Sequence, residues 1–495
     1  MTTTALDRGT EARPDETSDA PVHPAAGLFP MLLTLSSTVL VLTAKMWAST
    51  DPAAVDLSSQ AICVVSIAHG MVLFVVHGHH RITMAGCFMA SSAAIVGISG
   101  LLVIPDPYFM GVPRPDTYLN SALFACTLAQ IAVGAFCLAR PPAPIPSLPV
   151  LPDRVVRSAQ ISGVIVLAAT VAIGDGLGAF LDGFGFSSVL LVCAATLLGR
   201  RGVSRPVDIA LVLAVLIVFP TLVISGTGRL RAIALVLAVT YLFFLRHGRR
   251  WMKTMIVLLA PIALLALGIW RREYEESLSG QHGNDTGLSS MFVAIGNFGT
   301  VLHASENGLA PTLGTSFLSP LGSALPDSLV PGWIPQATGY ELAAITDPEI
   351  YGTGFSTVVS VYGDLWWNFG LLGLVVGAPL LARLLTLIDD WAVRSVRRAA
   401  ESPWRLAVVV LACGILGGVV DIVWSGFHTW IVRMYARVAA LLVLGPLCGI
   451  IPGPPGDPVL FSDGPDIRDG VDPEPPRTSL APGPAVPMRR TEAAP

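Results

Sequence analysis

Long apolar runs separated by short polar breaks set the pattern of this chain. A membrane-crossing helix needs about 20 mostly apolar residues. Runs of that kind lie at 27–47, 57–76, 82–104, 118–139, 158–173, 180–198, 207–224, 230–245, 251–270, 367–387, 406–423 and 430–451. They predict about 12 transmembrane helices, the fifth and eighth being the short ones. Residues 271–366 interrupt the series. They are moderately apolar and carry Gly and Pro throughout; 288–306 reads as one helix, and Pro311, Pro320, Pro326, Pro331 and Pro335 then predict coil. The stretch 1–25 is polar and lacks the layout of a signal peptide. The end of the chain is rich in Pro, Gly and Asp and has no apolar period, which predicts disorder.

The expected organisation is therefore a disordered lead at 1–26, a first part of a transmembrane bundle at 27–270, a large extracytoplasmic loop at 271–366, a second part at 367–451 and a disordered tail at 452–495. The fold class is an all-α polytopic membrane protein. Composition agrees. The chain is 53% hydrophobic and 13% charged, with a mean hydropathy of +0.67, whereas soluble proteins carry about 25% charged residues. A net charge of -4 gives no basis for nucleic-acid binding. The seven cysteines fall in or beside apolar runs and form no CxxC pair, so they read as small apolar residues.

Loop charge sets the expected orientation, because Lys and Arg concentrate on the cytoplasmic side. With the N-terminus inside, the inward loops carry Arg81; Arg140, Arg154 and Arg157; Arg200, Arg201 and Arg205; Arg246, Arg249, Arg250 and Lys253; and Arg394, Arg397, Arg398 and Arg405. Both termini are expected in the cytoplasm. Three arginine pairs break the pattern on the outer side: Arg229 and Arg231, Arg271 and Arg272, and Arg433 and Arg437. A charge within the bilayer costs several kcal/mol unless it faces a cavity or a partner. Guanidinium forks suit phosphate oxygens, so the three pairs are candidates for one shared anion site, a lipid diphosphate at that depth. The alternative is that they reach the headgroups or pair with acids such as Asp182 or Asp421.

No Lys or Arg follows Arg272 until Arg383, so the large loop is acidic. Asp364, at the outer mouth of the tenth run, and Glu341 are candidate general bases for a sugar hydroxyl; Asp347 and Glu349 lie nearby. His282, His303 and His428 are further outer-side candidates. The HGHHR run (His77, His79, His80, Arg81) could bind a metal or simply anchor two helices. The chain contains no P-loop, nucleophile elbow or HExxH motif, which argues against an ATP-driven pump and the common hydrolases.

The second half of the chain, about 220–390, resembles the O-antigen polymerase family, the Wzy-type oligosaccharide repeat unit polymerases. SGTGRLRAIALVLAV matches that family's small-residue-plus-Arg break before a helix. GTGFSTVVSVYGDLWWNFGLLGLVVG, from Gly352 to Gly377, is similar to the pattern that closes the family's large loop, and SPLGSALPDSLVPGW to its Pro-rich stretch. The family's acid near NFG is usually Glu; here it is Asp364, in a shifted register. The resemblance implies a GT-C-like, metal-independent membrane glycosyltransferase that needs no cofactor. It would join undecaprenyl-diphosphate-linked oligosaccharide units, donor to acceptor, on the outer face of the cytoplasmic membrane, possible partners being a flippase and a chain-length regulator. It implies Arg229, Arg231, Arg271, Arg272, Arg433 and Arg437 on the diphosphate, Asp364 or Glu341 as base, and Trp366, Tyr362 and His303 on sugars. The alternatives are an O-antigen-ligase-like or other lipid-linked-sugar glycosyltransferase and a membrane transporter.

Overall fold

The computed structural model describes residues 25–104, 116–140, 142, 148–173, 179–199, 206–222, 229–279, 289–323, 325, 329–346, 348 and 357–450. Residues 1–24 of the predicted lead at 1–26 and the tail at 452–495 lie outside the described residues, and the last two residues of that lead already belong to the first helix. Within them the architecture is all-α: the helices are joined by turns, and the β-type pairing is a single isolated bridge between Leu151 and Gly199.

Among the described residues, each apolar run named above lies largely in helix. In chain order the helices are α1 (Ala25–Thr50), α2 (Val55–Val76), α3 (Met84–Ser92) and α4 (Ser99–Val103), the last two joined by a π-turn at Ala93–Ile98. Then come α5 (Asp116–Leu138), α6 (Asp153–Ile173), α7 (Ala179–Leu198), α8 (Pro206–Leu222), α9 (Arg229–His247) and α10 (Arg250–Ser279). The segment predicted as one loop helix is α11 (Ser289–Glu306), followed by the short α12 (Ser319–Ser323) and α13 (Thr338–Thr346). The chain closes with α14 (Val361–Arg397), α15 (Pro403–Gly417) and α16 (Val419–Ile450). Among the described residues, eight helical segments are long and apolar enough to cross a membrane, and Asp182–Leu198, Pro206–Thr221 and Pro403–Gly417 are shorter apolar helices.

The two runs expected to be short, 158–173 and 230–245, are among the eight, as Asp153–Ile173 and Leu230–His247. Their helices continue through Asp153, Arg154 and Arg157 and through Arg246, charges at which an apolar window stops but a helix need not. The shorter helices are instead those around 182–198, 206–221 and 403–417. The tenth run also begins early. Its helix starts at Val361, not 367, with Ser360 as N-cap accepting from the Gly363 N–H.

Buried polar contacts align the helices. On α2 and α5, Asn120 bonds Ser58 and Ser59, and Ser66 donates to Gln130 at 2.8 Å. On α5 and α14, Cys126 lies beside Ser360 and Arg140 pairs with Asp390 at 3.0 Å. On α7 and α9, Asp182 pairs with Arg231 near the starts, and Arg246 donates to the Leu197 carbonyl at 2.6 Å near the ends. Each pair therefore runs in the same direction, and the chain between its members must cross back. The far end of α14 is locked by Arg81 to Asp389 at 2.6 Å, with both side chains almost fully buried. There the HGHHR run forms a tight turn with Gly78 and His79 at positive φ. The fully buried Lys253 ammonium ties that turn to α10 by bonds to the His77, His79 and Arg81 carbonyls. All seven cysteines are buried and free.

Two long helices are broken. Gly370 in α14 (φ 59°, ψ -146°) and Gly426 in α16 (φ 76°, ψ -166°) adopt non-helical backbone in a region open essentially to glycine alone. Both breaks face the segment between α11 and α14, and the candidate site is built around them.

Candidate functional site

A broken helix leaves backbone groups that must be satisfied within the protein. At the α14 break, the Thr312 N–H donates to the Trp367 carbonyl at 3.1 Å and the Leu313 N–H to the Asn368 carbonyl at 2.8 Å. Asn368 is fully buried; its Oδ1 accepts from Thr312 Oγ1 and Ser316 Oγ at 3.0 and 2.9 Å. Its amide donates to the Asp364 carbonyl at 2.8 Å and to Asp364 Oδ1 at 3.3 Å. At the α16 break, the Phe427 N–H donates to Asp364 Oδ2 at 3.1 Å, and Thr338 Oγ1 donates to Oδ1 at 3.3 Å. A Cβ on Gly426 would stand 2.7 Å from Asp364 Oδ2. One carboxylate thus caps the second half of α16 and holds α13, α14 and α16 together.

This corrects the expectation for Asp364. It is at the helix mouth as expected, but it belongs to the first turn of α14 and not to the predicted loop at 271–366, and it is 3% exposed. Its bonds are taken up by α13, α16 and its own helix, so its visible work is to hold the two breaks. Glu341, in the first turn of α13, is half-buried, and burial pushes its carboxyl above the usual carboxylate value. Beside the α16 break, His428 Nδ1 bonds Ser319 Oγ at 2.7 Å, and its Nε2 has no partner among the described residues. The sequence offered His428 only as one of three outer histidines. Thr338 carried no signal; Ser319 and Asn368 lay inside the SPLGSALPDSLVPGW and NFG motifs, but their roles come from partners distant in sequence.

The arginines come next. Arg433 pairs with the fully buried Asp421, and Arg231 pairs with Asp182. Arg437 is buried; it donates to the Gly414 carbonyl and stacks on the Phe186 ring at 4.0 Å. The charges of all three arginines act on Asp421. Three of the six predicted arginines, from α9 and α16, therefore gather at one place. The pairing with Asp182 and Asp421 set out above as the alternative is also present. Three arginines against two aspartates leave one net positive charge, placed near the starts of α7 and α9, whose helix dipoles add to it. Arg231 and Arg433 keep 28% and 21% of their side chains exposed, so an anion can reach them. Arg272, in α10, is half-buried. The side chains of Arg229 and Arg271, and the acids Asp347 and Glu349, lie outside the described residues.

Beside the α14 and α16 breaks runs an apolar groove of about 480 Å³. Phe317, Leu365, Phe369, Val376, Leu380 and Phe427 are among its lining. Phe427 and Ile431 face this groove, whereas Arg433 and Arg437 lie on the other side of α16, toward Asp421 and Phe186. α16 thus presents an apolar face to the groove and a cationic one toward Asp421.

Of the predicted sugar contacts, Tyr362 points into the bundle. It is 1% exposed, bonds Ser92 at 2.9 Å and packs edge-on against Phe88, so it fixes α14 to α3. Trp366 is half-buried and donates to Ser305 at 3.2 Å. His303 is exposed and lies against Tyr118 with ring centroids 4.6 Å apart. Comparison of the chain with protein-family models, with curated proteins and with solved structures returned no match, and the site stands on its own geometry.

Proposed function

We propose that this protein polymerises lipid-diphosphate-linked oligosaccharide repeat units on the outer face of the cytoplasmic membrane, in the manner of the O-antigen polymerases its second half resembles. The bundle would cross the membrane twelve times with both termini inside, and the parallel pairs α2/α5, α5/α14 and α7/α9 fit that order of crossings. The observation that carries the reading is the gathering of Arg231, Arg433 and Arg437 around Asp421 on one face of a broken helix whose other face lines an apolar groove. Buried arginines held by too few acids make a waiting anion site. A diphosphate satisfies it, and the groove takes a prenyl chain.

In this reading the acceptor hydroxyl attacks the anomeric carbon of the donor sugar. The new C–O bond forms as the bond from that carbon to the diphosphate breaks. The hydroxyl proton passes to Glu341, whose carboxyl is raised toward the working range by burial. The departing diphosphate carries the negative charge, and Arg231 and Arg433 stabilise it as it develops. Asp364 serves as a positioning residue, because its oxygens already hold Thr338, Asn368 and the Phe427 N–H.

The test is glycan length in cells carrying Arg433→Gln or Glu341→Gln, each checked for normal membrane levels. Accumulation of single lipid-linked units with loss of long chains supports the reading. Unchanged long glycan in both variants overturns it. His428, held by Ser319 with Nε2 free among the described residues, favours a second reading, an O-antigen-ligase-like transferase. In that case long glycan persists on its lipid carrier and fails only to reach its final acceptor.

A further inference from the structure

A second groove flanks α14 on the side away from α16. It encloses about 650 Å³ between α5, α11 and α14. Its floor is apolar: Phe124, Leu128 and Ala132 from α5 oppose Leu371, Leu374 and Val375 from α14. The stretch from Ser121 to Ala132 on α5 alone spans roughly 16 Å at 1.5 Å per residue. Polar groups gather at one end only. Ser121, Ser305, Glu306 and Trp366 line that end. Tyr118 donates to Glu306 Oε2 at 2.8 Å, and its ring lies against His303. Lys45 donates to Ser121 at 2.8 Å. An acid, hydroxyls, an indole and a Tyr–His face are the groups that recognise sugar hydroxyls and sugar faces. One cation stands next to them, where a phosphate joins sugar to lipid. Of the three residues expected to bind sugar, Trp366 lines this groove and His303 lies against Tyr118 beside its polar end, on the far side of α14 from the Phe317–Phe427 groove.

We propose that this groove holds the second lipid-linked saccharide of the reaction: its chain along α5 and α14, its first sugar on Glu306, Ser305 and Trp366, and its phosphate toward Lys45. The two substrates then approach α14 from two sides and meet over its broken first half. The proposal rests on the polymerase reading, which requires two lipid-linked substrates at once. Ordinary phospholipid lacks the sugar hydroxyls that would engage Glu306.

The test uses the full-length protein in nanodiscs with a polyprenyl-diphosphate trisaccharide that bears a diazirine in its prenyl chain. After photolysis, label is expected on peptides covering 121–132 and 371–375 as well as on those lining the Phe317–Phe427 groove. Ala132→Phe, which fills the second groove, is expected to remove only the first set. Glu306→Gln is expected to weaken capture there roughly tenfold, the worth of one hydrogen bond to a charged group. Label confined to the Phe317–Phe427 groove overturns the proposal while leaving the polymerase reading in place. Label in the second groove that excess phosphatidylglycerol displaces as readily as unlabelled saccharide lipid shows bulk lipid only, and also overturns it. Label in neither groove overturns both readings.

Discussion

The pair formed by Arg433 and Asp421 makes a quantitative test of the cationic centre. Asp421 is fully buried; one oxygen meets Arg433, and the other has no hydrogen-bond partner among the described residues. Arg433→Leu leaves that carboxylate without its partner. Breaking a buried pair from one side costs about 3–5 kcal/mol. Asp421→Leu should cost less, because the Arg433 side chain is already 21% exposed and can turn toward water. Replacing both residues with leucine removes the stranded charge, and such replacements of buried pairs are often neutral. The double variant should therefore be about 2–4 kcal/mol more stable than Arg433→Leu alone. Unfolding of the purified protein in mixed SDS micelles measures these differences. If the double variant is no more stable than Arg433→Leu, the pair does not carry the energy assigned to it and the argument from buried charge fails. Glycan length in the same strains adds a functional reading: the double variant should fold yet make no long chains, because the anion-binding guanidinium is gone.

Three further outcomes follow from other parts of the structure. Gly426→Ala places a side chain where the backbone suits glycine and where Asp364 already stands, so a loss of about 1–3 kcal/mol is expected in the same unfolding assay; wild-type stability would remove the case for a strained break. Lys253→Met strands the carbonyls of His77, His79 and Arg81, and about 3 kcal/mol should be lost; an unchanged unfolding midpoint would show that water satisfies that turn. Burial, reinforced by the charges of Lys253 and Arg81, pushes the His77 imidazole down to about 4 from its usual 6.5. Its neutral form stabilises the fold above pH 6.5, and that contribution is lost as pH falls from 6.5 to 4. It amounts to about 3 kcal/mol, so His77→Gln should flatten the stability–pH curve in that window, and parallel curves for the two proteins would contradict the assignment.

Hydrophobic patterning alone determined the helices. The apolar runs lie in helices, eight of the helical segments among the described residues being long and apolar enough to cross a membrane, because a continuous apolar stretch has no stable alternative to satisfying its backbone within itself. The helix at 288–306 was visible for the same reason. The arginines stood out because charge is rare in such runs, and three of them do converge. What the sequence could not decide were matters fixed by partners far along the chain. The start of α14 looked like loop because Asp364 and Tyr362 are polar; they are tolerated inside because Phe427, Thr338 and Ser92 receive them. Asp182 meets Arg231 from 49 residues away, and nothing local distinguishes that pairing from a free anion site. The two broken helices depend on Gly370 and Gly426, two of 48 glycines. Only the loop at Thr312 and Leu313, and the carboxylate of Asp364, make those two the places where the backbone can open. A helix break in an apolar bundle is stable only when another segment supplies the missing hydrogen bonds, and that supply is a property of the tertiary structure.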